Sequence, residues 1–210
     1  MELLPTDALL VIDMQLDFLP GGALAVADGD SILPGINVLA ARFDHVLLTQ
    51  DWHPRGHISF ASTHGLQPFT DTIEAPYGTQ TLWPDHCIQG TRGAELHPNL
   101  SIPHAELILR KGFRKDIDSY SAFTENDRVT TTGLAAYLQA RGLTRLFFTG
   151  LAYDFCVGFS ALAAARLGFE SIVIEDLSRA VNLPNSVDVI NAAFAASGVQ
   201  RISSAELLSQ

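Results

Sequence analysis

The stretch Ala8-Leu-Leu-Val-Ile-Asp-Met14 is a continuous apolar run that ends in an acid. A run of this kind is typical of a β-strand that is buried on both faces of a sheet. Short apolar runs recur along the chain at residues 45–50, 106–110, 145–149 and 171–175, and a last edge strand is predicted at 200–203. The sequence therefore predicts a sheet built from several short, deeply buried strands.

Helical segments separate these runs along the chain. They are predicted at about residues 30–43, 134–140, 157–167 and 187–196. Strands that alternate with helices indicate a mostly parallel sheet with helices on both faces, which is an α/β three-layer sandwich. A length of 210 residues is normal for one such domain, and we predict a single domain over residues 1–210.

The composition is that of a globular protein with an acidic surface. Hydrophobic residues make up 47% of the chain and charged residues 17%, and the net charge is −10 at pH 7. An acidic surface repels phosphate backbones and anionic lipids, so the sequence predicts neither a nucleic-acid partner nor a membrane partner. No signal sequence and no apolar stretch of about 20 residues is visible, from which we predict a cytoplasmic location. The sequence leaves the oligomeric state open, a homo-oligomer included.

The carboxyl ends of the predicted strands carry reactive side chains. Asp13, Asp51, Lys111 and Cys156 each lie at the end of a different strand or soon after it. In an open parallel sheet these ends share one rim, and ligands bind there. We therefore expect the four side chains to lie in one site.

Cys156 is the candidate nucleophile of this site. It lies between a strand and a helix, where the helix N-terminus and the charge of Lys111 would favour a thiolate. Asp13 would accept the thiol proton, and the N–H groups of Ala152 and Cys156 would bind an oxyanion. The alternative is that Cys156 is a small buried apolar residue and that Asp13 and Lys111 have structural roles. The occurrence of all three residues on one rim favours the interpretation of Cys156 as a nucleophile.

The stretch from residue 51 to 104 is predicted to be a long functional loop. Asp51 and His53 point to the same side of an extended segment, and His86 would add a third metal ligand from the far end. His57 would be either a fourth ligand or a supporting partner. An Asp/His/His set with open positions suits Zn, Fe or Mn. The alternative is that these residues are ordinary turn residues, because the spacing alone is not specific.

Five segments together resemble the nicotinamidases of the isochorismatase-like hydrolase superfamily. The motifs occur in the order found in that family, over about residues 9–176. They are Asp13-Met-Gln-Leu-Asp-Phe18, Asp51-Trp-His-Pro54, Leu82-Trp-Pro-Asp-His-Cys87, Lys111-Gly112 with Asp118-Ser-Tyr-Ser-Ala-Phe123, and Gly150-Leu-Ala-Tyr-Asp-Phe-Cys-Val157.

The resemblance implies a fold and a set of roles. The fold would be a six-stranded parallel sheet flanked by helices. The catalytic triad would be Asp13, Lys111 and Cys156. One divalent metal, with Zn favoured over Fe and Mn, would be held by Asp51, His53 and His86. The peptide bond between Leu151 and Ala152 would be cis.

The resemblance also implies a substrate. It would be nicotinamide or a pyrazinamide-like amide, hydrolysed in NAD salvage, with Phe18, Trp83 and Tyr120 lining the pocket for the ring. Tyr153 departs from the family pattern, in which this position is commonly Thr. Its bulky ring would either narrow the pocket as a substrate-binding residue or point away from it, which leaves the exact substrate range open. The alternatives are another small-amide hydrolase of the same superfamily, an inactive binding protein, and a protein with a purely structural metal site.

Overall fold

The apolar runs form one six-stranded sheet. A computed structural model describes residues 1–208. The strands in this part of the chain are β1 Asp7–Ile12, β2 His45–Asp51, β3 Thr72–Ala75, β4 Gly78–Thr81, β5 Leu107–Lys111, β6 Arg145–Leu151, β7 Glu170–Arg179 and β8 Gln200–Ile202. The six-stranded sheet has the order β5-β2-β1-β6-β7-β8, with every neighbouring pair parallel. The predicted parallel sheet and its six strands are confirmed.

Helices cover both faces of this sheet, as predicted. They are α1 Leu33–Ala40, α2 Ala61–His64, α3 Leu134–Ala140, α4 Gly158–Arg166, α5 Ser186–Ser197 and α6 Ala205–Leu208. The predicted helix at 30–43 begins with a 3₁₀ turn at Gly29–Ile32 and ends at residue 40. A π-helical turn at Tyr153–Val157 precedes α4, so the predicted helix at 157–167 also begins earlier in a different geometry.

β1 shows why the sheet has a core on each side. Leu9 and Val11 pack into the core that α1 covers, whereas Ala8, Leu10 and Ile12 pack into the core under α3, α4 and α5. All five side chains are at most 1% exposed. Burial of a leucine or isoleucine contributes roughly 1.5–3 kcal/mol, so an apolar residue is favoured at every position of this strand.

The predicted loop at 51–104 contains secondary structure that the sequence did not reveal. β3 and β4 form an antiparallel hairpin with Ala75 opposite Gly78, and α2 lies before it. The two strands are mostly exposed and carry few apolar residues. Pro76 and Tyr77 form the connection, and they lack the Asn-Gly or Asp-Gly signal that marks a two-residue hairpin. The loop prediction is therefore corrected over these eight strand residues.

The parallel sheet brings the carboxyl ends of β1, β2, β5 and β6 to one rim. Gly150 in β6 is needed for this approach: its φ is +111°, and a Cβ there would lie 2.2 Å from the carbonyl oxygen of Ile12. Only glycine adopts this conformation and leaves that space free. Among residues 1–208, no helix is long and apolar enough to span a bilayer.

Candidate active site

The ammonium group of Lys111 lies at the centre of the rim. Its Nζ is 2.8 Å from Oδ2 of Asp13, 2.5 Å from Oδ1 of Asp51 and 3.3 Å from Sγ of Cys156. Nζ also donates a hydrogen bond to the carbonyl oxygen of Ser119 at 3.1 Å. Lys111 is the last residue of β5 and is 1% exposed. The structure thus brings together the four rim residues that the sequence predicted would meet.

Two carboxylates keep this buried lysine charged. Burial alone would lower the pKa of Lys111, but Asp13 and Asp51 raise that pKa well above its usual value. Burial raises the pKa of Asp13, and the nearby charge of Asp51 raises it further, against the opposing effect of Lys111. Asp13 is therefore a stronger proton acceptor than an exposed aspartate, which suits a general base.

The backbone of Asp13 is held in an unfavourable conformation. Its φ is +47°, a left-handed value that non-glycine residues seldom adopt. Thr49 of β2 fixes the side chain, because its Oγ1 donates to Oδ1 of Asp13 at 2.6 Å and accepts the Asp13 N–H at 3.1 Å. Strained backbone of this kind is concentrated at functional sites.

Cys156 lies in the π-helical turn just before α4 and is buried. Burial raises the pKa of its thiol well above the usual value, Lys111 opposes the increase, and Asp13 and Asp51 add to it. The resting residue is therefore a thiol, whereas the sequence led us to expect a thiolate. The difference arises chiefly because the thiol is buried, and the two carboxylates that share the site with the single lysine add to it. The proton must pass to an acceptor before the sulfur can attack.

Asp51, His53 and His86 form the predicted metal cluster. Oδ2 of Asp51 is 3.4 Å from Nε2 of His53 and 3.8 Å from Nε2 of His86, and all three residues are buried. Nδ1 of His53 lies 2.8 Å from the carbonyl oxygen of Gly112, and Nδ1 of His86 lies 2.7 Å from that of Pro84.

These contacts determine which ring nitrogens can bind a metal. A carbonyl oxygen only accepts, so Nδ1 of each ring carries a proton, and Nε2 of each ring faces Asp51. Histidines that donate Nδ1–H to a carbonyl are typical of metal centres. Two imidazoles and one carboxylate, with one ligand atom of each within 4.8 Å of the others, fit a divalent metal ion.

Asp51 connects the metal cluster to Lys111. Its Oδ2 faces the two histidines and its Oδ1 accepts from Lys111. Although burial would raise the pKa of Asp51, Lys111 and His53 hold that pKa well below its usual value. The carboxylate therefore stays ionised, as a metal ligand must.

The side chain of Gln15 holds the backbone of Asp51, a role that the sequence did not reveal. Its Nε2 donates to the carbonyl oxygen of Asp51 at 2.8 Å and to that of Ala94 at 2.9 Å, and its Oε1 accepts the Asp51 N–H at 2.7 Å. Gln15 is fully buried. In the sequence, the only indication of this role was the presence of a glutamine two residues after Asp13, just beyond the end of an apolar strand.

His57 packs against the ring of His53 and supports the metal cluster through it. The two rings stack with centroids 4.2 Å apart. Nδ1 of His57 contacts Oγ of Ser59 at 2.7 Å, and Nε2 contacts the carbonyl oxygen of Ile117 at 3.2 Å. Burial and the neighbouring His53 lower the pKa of His57 to about 4, so its ring is neutral at pH 7. These contacts correspond to the supporting role, although His57 also lies within ligand distance of His53 and Asp118.

A mostly apolar cavity opens between Cys156 and the metal cluster. Three predicted pocket residues, Phe18, Trp83 and Tyr120, line it together with Ala152. The hydroxyl oxygen of Tyr120 accepts hydrogen bonds from Nε1 of Trp83 and Nε2 of Gln80, both at 3.1 Å. The sequence did not identify the remaining lining residues, which are Leu24, Asp118, Phe155 and Val181.

Tyr153 does not line this cavity and points away from it, which is one of the two orientations that the sequence left open. Its hydroxyl donates to Oδ1 of Asn191 at 2.6 Å, and its ring packs against Phe194 with centroids 5.8 Å apart. Both partners belong to α5, so the side chain points away from the catalytic rim. The peptide bond between Leu151 and Ala152 is cis, as the resemblance implied.

Comparison with known proteins agrees with this geometry. Residues 7–206 match the Isochorismatase domain. A curated nicotinamidase of Acinetobacter baylyi is 55% identical over 202 residues, which cover 96% of this chain and 94% of that protein. A solved Acinetobacter baumanii nicotinamidase/pyrazinamidase is 53% identical with a TM-score of 0.96, covering 98% of this chain and all of that one.

Two further solved structures contain small ligands. PnC1 from L. infantum, in complex with nicotinate, is 40% identical with a TM-score of 0.85, covering 98% of this chain and 96% of that one. A pyrazinamidase of Pyrococcus horikoshii in complex with zinc is 32% identical with a TM-score of 0.77, covering 95% and 99%. The chain therefore belongs to the isochorismatase family and groups within it with the nicotinamidases.

Proposed function

We propose that the protein hydrolyses nicotinamide to nicotinate and ammonia, with Cys156 as nucleophile, as a step of NAD salvage. The observation that carries this proposal is the position of the Lys111 ammonium, which contacts Cys156, Asp13 and Asp51 at once. A nucleophile, a base and a metal-binding carboxylate are thereby joined in one buried unit. The identity to curated nicotinamidases supports the choice of substrate.

In the first half of the reaction, the Cys156 thiol gives its proton to the carboxylate of Asp13, which can accept it because the pKa of Asp13 is raised. The sulfur attacks the amide carbon, and a thioester forms as the C–N bond breaks. Asp13 passes its proton to the departing nitrogen, so that ammonia leaves. In the second half, Asp13 takes a proton from water, the resulting hydroxide attacks the thioester, and the thiol is restored.

Lys111 supports both halves through its charge. Its ammonium is 3.3 Å from the sulfur and 2.8 Å from Asp13, so it stabilises whichever of the two carries the negative charge. The N–H groups of Ala152 and Cys156 are proposed as the oxyanion hole, because both residues line the cavity. Removing one such donor typically costs about 10²–10³ in rate.

Asp51, His53 and His86 would hold the divalent metal, which we propose to be zinc, with iron or manganese as the alternatives. The donor set supports zinc, as does the zinc-bound pyrazinamidase relative. A bound metal would supply a Lewis-acid anchor for the pyridine nitrogen of the substrate. The apolar walls of Phe18, Trp83 and Tyr120 would hold the ring so that its carboxamide lies at Cys156.

The direct test is ammonia release from nicotinamide by the purified protein. We expect release by the parent and none by Cys156→Ala. Cys87→Ala is the matched control, because Cys87 is also a buried free cysteine, whereas the hydrogen bond from Lys111 goes to Cys156. Release by Cys156→Ala at the parent rate would refute the nucleophile. A folded, metal-loaded parent that releases no ammonia would refute the substrate.

A second substrate is favoured by one comparison. The Acinetobacter baumanii relative is named a pyrazinamidase as well as a nicotinamidase. Pyrazinamide differs from nicotinamide by one ring nitrogen, so we propose that it is also hydrolysed, and a panel of small amides tests this.

We further propose that the chain forms a single domain, that it acts in the cytoplasm, and that it has neither a nucleic-acid partner nor a membrane partner.

A further inference from the structure

Two arginines lie in a groove next to the catalytic cavity. Arg128 and Arg166 both line this groove, which has a volume of about 400 Å³. They also line the adjoining groove on the side of α5. Both arginines are exposed, and within residues 1–208 neither forms an ion pair with a carboxylate. A pair of unneutralised guanidinium groups on a chain of net charge −10 requires an explanation.

Two acids line these grooves, and among residues 1–208 neither forms an ion pair with Arg128 or Arg166. Oε1 of Glu125 accepts a hydrogen bond from Nε of Arg114 at 2.8 Å, and its Oε2 is buried with no hydrogen-bond partner. Asp154 accepts from the N–H groups of Val181 and Asn182 at 2.9 and 2.8 Å, and from Oγ of Ser186 at 2.5 Å.

The two guanidinium groups also affect each other. Partial burial lowers the pKa of Arg166, and the charge of Arg128 lowers it further. Two like charges that repel each other in this way provide a favourable position for an anion between them. Arginine is well suited to the task, since its planar group binds carboxylates and phosphates through paired hydrogen bonds.

The groove adjoins the catalytic cavity. Tyr120 and Phe155 line both of them and form a shared aromatic wall, with ring centroids 5.4 Å apart. Phe159 extends this aromatic surface along the groove, 5.3 Å from Tyr120. The two arginines therefore lie beside aromatic rings, next to the cavity in which the product would form.

We propose that Arg128, Arg166 and the rings beside them form a second, non-catalytic site for an aromatic carboxylate, the anionic product of the proposed reaction. This inference rests on the proposed function. Hydrolysis converts a neutral amide into a carboxylate of charge −1, so two cations distinguish product from substrate. The site would bind the product beside the cavity, on a protein whose acidic surface otherwise repels an anion.

The test compares inhibition by nicotinate with the Michaelis constant for nicotinamide. We expect Arg128→Ala and Arg166→Ala each to raise the inhibition constant of nicotinate about threefold to fivefold, and to leave KM within twofold. The double variant should also reduce the dependence of nicotinate inhibition on salt concentration. Arg42→Ala is the matched control, since it removes the same charge from the amino-terminal side of β2, opposite the catalytic rim.

Two results would overturn the site. One is an unchanged inhibition constant in the double variant, and the other is an equal rise of inhibition constant and KM, which indicates damage to the cavity itself. Calorimetric titration of the parent and the double variant with nicotinate separates this proposal from the proposed function. Loss of nicotinate affinity in the double variant supports the site even if the parent does not hydrolyse nicotinamide, whereas equal affinity refutes it. A parallel titration with inorganic phosphate shows whether the site requires the aromatic ring of its ligand. Weaker binding of phosphate than of nicotinate supports a site for an aromatic carboxylate, whereas equal binding contradicts it.

Discussion

Lys111 is the residue on which the electrostatics of the site depend. Its ammonium is buried between Asp13 and Asp51, and each carboxylate depends on it for compensation. A buried ion pair adds little net stability when intact, but removal of one partner leaves uncompensated charge and costs about 3–5 kcal/mol. The pKa of Asp13 is raised even with Lys111 in place, so it must rise further without it.

We predict that Lys111→Met is destabilised in a pH-dependent manner. An acid whose pKa is higher in the folded than in the unfolded protein binds protons more tightly when folded. Its contribution to stability is therefore greatest at acid pH and falls as pH rises above about 4, the pKa of an unfolded aspartate. The gap in unfolding free energy between parent and variant should widen from pH 4 to pH 7.

Urea unfolding of metal-free protein at several pH values measures this gap. Lys115→Met is the control, because Lys115 is exposed and lies only four residues away. A gap of constant size over the whole pH range would contradict the proposed coupling between Lys111 and Asp13.

At the scale of elements, the site depends on how the ends of β1, β2 and β6 are fastened together. Gln15, two residues after the strained Asp13, holds both backbone groups of Asp51 and the carbonyl oxygen of Ala94. It thus fixes the end of β2 against the segment that follows β1. A metal ligand whose main chain is fixed in this way loses little freedom when the metal binds.

We predict that Gln15→Leu weakens metal binding by about 10–100-fold, the usual effect of removing a support of a metal ligand. The buried N–H and C=O groups of Asp51 lose their partners, so the carboxylate is less well placed. Metal content after dialysis against graded chelator measures the loss. Gln50→Leu is a matched control, since the side chain of Gln50 also donates to the carbonyl oxygen of Ala94 but its hydrogen bonds do not include the Asp51 backbone. Equal metal loss in both variants would contradict the positioning role of Gln15.

Gly150 permits the contact between β6 and the end of β1. We predict that Gly150→Ala is destabilised by more than the roughly 1–3 kcal/mol expected from a positive φ alone, and that it loses activity. The added Cβ would lie 2.2 Å from the carbonyl oxygen of Ile12. Gly168→Ala is the control, because Gly168 has a φ of +89° with nothing within 4 Å of the added Cβ. Thermal melts that show equal losses for the two variants would contradict the steric argument.

The elements differ in how far the sequence predicted them. The buried strands and the rim were predictable because a parallel sheet gives each strand a continuous apolar run and places its carboxyl end at the ligand site. The hairpin of β3 and β4 was not, because its strands are exposed and its turn is atypical. The direction of Tyr153 depends on a π-helical turn, and periodicity carries no information about such a turn. The role of Gln15 depends on backbone groups that lie far away in the sequence.

At the scale of the whole molecule, the metal cluster joins distant parts of the chain. Asp51 is the last residue of β2 and His53 lies two residues beyond it, whereas His86 lies beyond the hairpin. A metal bound to all three would close the segment between residues 53 and 86. A ligand that binds only the folded state adds RT ln(1 + [L]/Kd) to stability, about 2.7 kcal/mol when its concentration is one hundred times Kd.

We therefore predict that chelation lowers the melting temperature and that added zinc restores it. His53→Ala should melt at the same temperature with and without zinc, because it lacks one of the three ligands. His64→Ala is the control, since His64 lies in the same segment but outside the cluster and should retain the full response to zinc. Differential scanning calorimetry of the three proteins measures these shifts. A zinc response in His53→Ala equal to that of the parent would place the metal elsewhere, because a carboxylate and one imidazole at this rim could not account for unchanged binding.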